Sequence, residues 1–330
     1  MAGTLSNPTR RVVELLNFLA RRPGREFSLS DLSREVGISK STLHPLIETL
    51  AEAGYLMRDD KTRLIRLGPV LTGVGLAALG HRAHLIDSLR PAMEDLAHEL
   101  DSHCLVSAIY GDWIVPIAAA GEPSRVTTLF RVGARANPSA PPMGVLFLAG
   151  LPMADVQDWM DRAQTPMEPA EVELALSSMD LLRSTGFAAA SRLGVKARIE
   201  QALDEFTNPP ERTNAAESLF GELRRSQYLI TDFTAEQPVE VDWIGIPICD
   251  EQGRVDCALV VLNLPHSQTG PEIMRIARRM QNAVRPVRNV HLLPGTDAEH
   301  APSVARHDPT NGAPHGGLPE RQATTAARTR

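Results

Sequence analysis

From Thr9 to Gly68, apolar and polar positions alternate with a helical period three times and then with the period of a strand. Val12, Leu15, Leu16 and Leu19 fall at i, i+3, i+4 and i+7. That spacing predicts a helix with one buried stripe, leaving Arg10, Arg11, Arg21 and Arg22 in solvent and stopping near Pro23-Gly24. A second helix is expected after Ser28-Leu29-Ser30, whose hydroxyls can cap free backbone amides; it carries Leu32 inward and stops at Gly37. Four turn residues, Val36-Gly37-Ile38-Ser39, lead into a third helix from Lys40 to Leu50. With Leu43, Leu46, Ile47 and Leu50 facing the core, Lys40, Ser41, His44, Pro45, Glu48 and Thr49 must face outward.

After Gly54-Tyr55 the pattern predicts a hairpin: Leu56 to Arg58, a turn at Asp59-Asp60-Lys61-Thr62, and a return strand from Arg63 to Leu67. Three short helices followed by a basic hairpin are the layout of a winged helix-turn-helix, whose third helix enters the major groove while the wing reaches flanking phosphates. The DNA-binding candidates are therefore Lys40, Ser41, Thr42 and His44 on the helix, Arg58, Lys61 and Arg63 on the wing, and Arg10 and Arg11 on flanking phosphates. Ser39 is expected to cap the helix rather than read a base. A solvated polar face is the bland alternative, and the order of three helices and a wing argues against it.

Beyond this head, assigned to residues 1–68, a linker helix is expected over 69–82, with Val70, Leu71, Val74 and Leu79 apolar. A further helix over Leu85 to Leu100 turns Leu85, Leu89, Met93, Leu96 and Leu100 inward. Strand-like runs follow at Cys104 to Tyr110 and Trp113 to Ala118, joined at Gly111-Asp112, and at Thr127 to Val132. A helix containing Val145 to Leu148 starts at Gly144. Residues 152–228 are mostly helical in pattern, and sheet character returns at Leu229 to Phe233, Val241 to Cys249 and Val255 to Leu264, the last two a hairpin around Glu251-Gln252-Gly253. A closing helix is expected from Pro271 to about Val290. The tail, 294–330, lacks apolar periodicity and is expected to be disordered. The fold class is α+β.

The run Gly37-Ile38-Ser39-Lys40-Ser41-Thr42-Leu43-His44, then Leu50 to Gly54-Tyr55-Leu56, then Arg66-Leu67-Gly68-Pro69, resembles the DNA-binding domain of IclR-type bacterial transcription regulators. More weakly, Arg131-Val132-Gly133 leading to Pro138-Ser139-Ala140-Pro141-Pro142-Met143-Gly144, and Ile244 to Ile248 before Asp250 to Val255, are similar to that family's effector-binding domain. The resemblance implies a GAF-like α/β sensor over 83–293, here with a helical insertion at about 152–228, and a homodimer or dimer of dimers (homotetramer) on a palindromic operator. It also implies an effector pocket at Ser139, Met143, Gly144, Thr231, Val241, Trp243, Val260 and Leu262. So apolar a set suggests an apolar or aromatic effector, or else simply core. Asp232, Asp242 and Arg131 are candidate polar partners for it. One departure stands out: the family commonly has Arg after the His, and this chain has Pro45. Proline inside a helix removes a backbone donor and crowds the preceding turn, at a cost of about 3 kcal/mol. The expectation is either a kinked helix reading an altered site or weaker binding.

At 330 residues, 43% hydrophobic and 22% charged, the chain has room for two soluble domains and a tail. No apolar leader is visible, and Val70 to Leu79 is too short to span a bilayer, so no membrane partner is expected. Cys104, Cys249 and Cys257 have no ligand spacing, which suits a reducing cytoplasm. The net charge of −6 argues against nucleic acid until it is divided: residues 1–70 hold 11 Lys+Arg against 8 Asp+Glu, a balance of +3, leaving −9 elsewhere. The histidines are scattered, with His300, His307 and His315 in the tail, so no metal or cofactor is expected. There is no G-x-S-x-G, phosphate-loop or dinucleotide fingerprint, and the pair Asp95 and Glu99 lies on a helix surface. The expectation is a non-enzymatic, ligand-responsive repressor or activator whose partners are double-stranded operator DNA, a small-molecule effector and itself. The competing class is a sensor or enzyme whose head binds protein.

Overall fold

The computed structural model describes residues 7–111, 113–122, 131–135, 144–161, 168–191, 229–288 and 290–293. The head opens with α1 (Asn7–Ala20), α2 (Leu29–Val36) and α3 (Lys40–Glu52), followed by β1 (Leu56–Arg58) and β2 (Ile65–Leu67). Ser28 starts α2 by accepting from the Asp31 amide at 3.1 Å, and Gly37, in the left-handed region at φ 70°, ends it. The two strands pair antiparallel, Leu56 opposite Leu67 and Arg58 opposite Ile65, and Phe27 bridges Ile65 as a third partner. Leu15, Leu19, Leu32, Leu43, Ile47, Leu56 and Ile65 close one core beneath them. Leu46 and Leu50, expected inward, are only half-buried, with Leu50 at the margin of this core.

The return strand is shorter than its pattern suggests. Arg63 takes a left-handed conformation at φ 59°, which carries the turn on to Leu64, so pairing starts only at Ile65.

Next come α4 (Val70–Leu79) and α5 (Arg82–Glu99). Although α4 is almost wholly apolar, none of its residues is buried. Gly80 separates it from α5, which buries Ile86, Leu89, Met93, Leu96 and Ala97.

The second unit is a six-stranded antiparallel sheet. Its strands are β3 (His103–Tyr110), β4 (Trp113–Ala120), β5 (Ala188–Ser191), β6 (Val241–Cys249), β7 (Val255–Leu262) and β8 (His291–Leu292). They lie in the order β4-β3-β7-β6-β5, with β8 also on β6. Strand periodicity sorts the side chains into two layers. Cys104, Val106, Ile244, Ile246, Cys257, Leu259 and Val261 face α5 and α9 (Gly270–Val284), which supplies Ile273, Ala277, Met280 and Val284. Leu105, Ala258, Val260, Leu262 and Trp243 face α6 (Gly144–Leu148), with α7 (Met153–Asp161) and α8 (Pro169–Thr185) completing that layer.

Four elements differ from the sequence reading. Ala188–Ser191, inside the stretch expected to be helical, is an edge strand: Gly186 at φ 72° ends α8, and pairing with β6 overrides alanine's helical preference. Leu229 to Phe233 contributes only an isolated bridge, Leu229 to Ala190. The last long strand ends at Leu262 because Asn263 turns left-handed at φ 62°. Finally, α9 stops at Val284, before Arg285-Pro286, since a residue ahead of proline is disfavoured in a helix. Arg131 and Val132, the described end of the expected strand at 127–132, lie in a loop and a turn. The remainder of that strand, residues 192–228 and the tail lie outside the described residues.

Candidate DNA-binding surface and sensor face

Backbone bonding starts α3. Thr42 and Leu43 donate to the Ser39 carbonyl at 3.0 and 2.9 Å. Ser39 occupies the cap position, but its hydroxyl meets Ser41 Oγ at 3.1 Å and Thr42 Oγ1 at 2.9 Å rather than a backbone amide. Thr42 is thereby half-buried with its hydroxyl engaged, whereas Lys40, Ser41, His44, Pro45, Glu48 and Thr49 are exposed along one face. The helix is continuous through Pro45, and the Thr49 hydroxyl donates to the Pro45 carbonyl at 2.9 Å.

On the wing, Asp59 Oδ1 accepts from the amides of Lys61 and Thr62 at 2.9 and 2.7 Å and from the Thr62 hydroxyl at 3.0 Å. These donors, the Thr62 amide foremost, hold the Asp59 carboxyl below its ordinary range. The turn presents Lys61 and Arg63 outward. Neither they nor Lys40 makes an ion pair among the described residues. Arg58 is arranged differently: its Nη1 donates to Glu48 Oε1 at 2.6 Å, and its side chain is only 18% exposed. His44 Nε2 lies 3.8 Å from that same oxygen. Arg10 pairs with Glu14 at 3.5 Å, and Arg11 is half-buried. The sequence reading missed the Glu48–Arg58 contact, although the outward position of Glu48 was legible.

On the sensor sheet, Gly144, Trp243, Val260 and Leu262 all belong to the layer under α6. Trp243 is opposite Leu262, and Gly245 opposite Val260, while Leu146 from α6 fills the space above Gly245. Val241 packs in the other layer, against α5 and α9. Thr231 is exposed, and Ser139 and Met143 lie outside the described residues. Among the polar candidates, Arg131 is exposed, Asp242 half-buried, and Asp232 accepts from the Thr234 amide at 2.9 Å and its hydroxyl at 2.7 Å. Two donors on the α6 side, Ser107 Oγ and Trp243 Nε1, are buried without a hydrogen-bond partner among the described residues. Burial pushes the Cys104 thiol up to about 12, Cys249 up to about 11 and Cys257 higher still, so none is a nucleophile at neutral pH. No helix among the described residues is long and apolar enough to cross a membrane.

Residues 8–60 match the family model described as the IclR helix-turn-helix domain. The HTH-type transcriptional regulator XynR of Escherichia coli is 26% identical over 188 residues, covering 55% of this chain and 73% of the relative. The regulator TtgV of Pseudomonas putida is 24% identical over 147 residues, covering 44% and 55%. Both alignments are longer than the head alone can hold. Among solved structures, Thermotoga maritima IclR superposes with a TM-score of 0.56 at 15% identity, covering 85% of this chain and 97% of that one. Pseudomonas aeruginosa HmgR gives 0.53 at 20% identity, covering 86% and 97%. These two likenesses speak for the fold, an N-terminal helix-turn-helix ahead of an antiparallel sensor sheet. With residues 8–60 matched through all three helices and its relatives named as transcription regulators, the chain carries an IclR-type helix-turn-helix head and is similar to DNA-binding transcription regulators over about half of its length.

Proposed function

We propose that α3 docks in the major groove of operator DNA while the wing tip grips an adjoining phosphate, and that a small molecule on the sensor unit sets operator affinity. The observation that carries the DNA half is the exposed face of Lys40, Ser41 and His44 on α3 together with Lys61 on the exposed wing turn, the two lysines making no ion pair among the described residues. Lys40 and Lys61 are placed at phosphates, where each neutralised charge contributes about 0.9 to the slope of log affinity against log salt. Fluorescence anisotropy over a salt series checks this. Lys40→Ala or Lys61→Ala, present twice in a dimer, should flatten the slope by about 2, and an unchanged slope overturns the assignment.

The assembly is a homodimer, alone or paired into a tetramer, acting in the cytoplasm. Its support is α4: Val70, Val74 and Leu76 are 39, 47 and 52% exposed, an apolar surface one turn from the head. A second copy of the helix covers it. Analytical ultracentrifugation at micromolar concentration should show a dimer or larger, and a monomer alone refutes this reading.

For the effector, Trp243, Val260, Leu262 and Gly144 support an apolar or aromatic molecule bound on the α6 side of the sheet. Calorimetry against aromatic acids and lipophilic catabolites is the test; saturable binding by strongly polar sugars instead overturns the proposed chemistry.

A further inference from the structure

An acidic side chain on a groove-facing helix needs a physical account, because phosphates repel it. Glu48 lies seven residues beyond Ser41 on the same face of α3, and with His44 between them the row is ~10 Å long, about three base-pair steps. Glu48 is 54% exposed, and Arg58 from β1 holds one carboxylate oxygen, Oε1, at 2.6 Å. The other, Oε2, has no partner among the described residues. Arg58 in turn is 18% exposed, so it steadies the carboxylate from below instead of contacting DNA itself. The carboxylate is an acceptor-only group on the exposed face of α3, held through one oxygen by Arg58. In the major groove, the donor that a lone carboxylate recognises is the exocyclic amino group of cytosine.

We propose that Glu48 is a specificity-determining residue, held by Arg58 so that its free oxygen accepts from a cytosine amino group in each operator half-site. This rests on α3 entering the groove. The Glu48–Arg58 pair thus has a second role besides tying α3 to the wing. Arg58 is a positioning residue, and Lys40, Lys61 and Arg63 remain as the phosphate contacts.

The test is selection of binding sites from randomised double-stranded oligonucleotides by the full-length protein, followed by affinity and salt-slope measurement on the recovered site. Wild type should select a palindrome with an invariant C·G pair in each half-site. Glu48→Ala should lose roughly tenfold discrimination at that pair alone, with the preference at other positions unchanged. Glu48→Gln, nearly isosteric, should move the preference at that pair toward adenine, which an amide recognises through one donor and one acceptor. If Glu48 serves only as an internal tie, Glu48→Ala releases the Arg58 guanidinium. Affinity then rises for every sequence, the salt slope steepens and the selected site stays the same, which overturns the proposal. Failure of wild type to select any site overturns the docking of α3 as well, so the two failures are distinguishable.

Discussion

Gly68→Ala should abolish operator binding by the full-length protein while leaving the sensor unit folded. A Cβ at position 68 comes to 2.2 Å from the Gly54 carbonyl oxygen and 2.9 Å from the carbonyl carbons of Gly54 and Tyr55. These are backbone atoms, with no rotamer to give way. They also hold the chain's exit from the wing: Gly68 donates to the Tyr55 carbonyl at 2.8 Å, and Val70 to Gly54 at 3.3 Å. Separating the two segments opens the wing at the Leu56–Leu67 pair and loosens Leu56 from the head core. The cost falls at or beyond the upper end of the ~1–3 kcal/mol usual for overpacking. Limited proteolysis should add cuts within residues 7–68 and leave the cleavage pattern beyond residue 82 as in wild type, and anisotropy should detect no specific complex. A variant as protease-resistant and as DNA-competent as wild type would show that this close approach is not required.

Trp243→Ala is the other large effect. The indole is 2% exposed, opposite Leu262 and beside Leu146. Truncation leaves a cavity in the layer under α6 and costs about 3–5 kcal/mol. Denaturant unfolding followed on the sensor unit should show a lower midpoint with little change in slope. Trp243→Phe keeps most of the volume and removes an indole N–H that has no partner among the described residues, so its midpoint should lie much nearer to wild type. A Trp243→Ala midpoint equal to that of wild type would remove this residue from the core. If Trp243→Phe instead folds normally but loses the response to effector, the free N–H is a ligand donor.

The head was the most legible part of the sequence because local patterns determine it. The i, i+3, i+4 and i+7 apolar positions of α1, the Ser28 cap and the Gly37 stop specify helices before any distant contact is known. The hairpins around Gly111 and Gly253 were equally plain, both glycines adopting positive φ where the chain reverses. What escaped notice depends on contacts remote in sequence. Ala188–Ser191 is a strand only because β6 is there to pair with it. The bond between Arg58 and Glu48 was likewise hidden, because their spacing in sequence gives no hint that one reaches the other. The resemblance grouped Val241 with Trp243, Val260 and Leu262, whereas Val241, just two residues before Trp243, packs in the opposite layer.

The short apolar helix α4 has a thermodynamic consequence. Ten residues, two of them glycine and none buried, are too few to remain helical unaided in water. In the proposed dimer, ordering of this segment and pairing of the chains are one event, so each supplies part of the other's free energy. Dilution then does more than separate subunits: it slackens the tether between sensor and head, and operator occupancy falls more steeply with protein concentration than simple dissociation predicts.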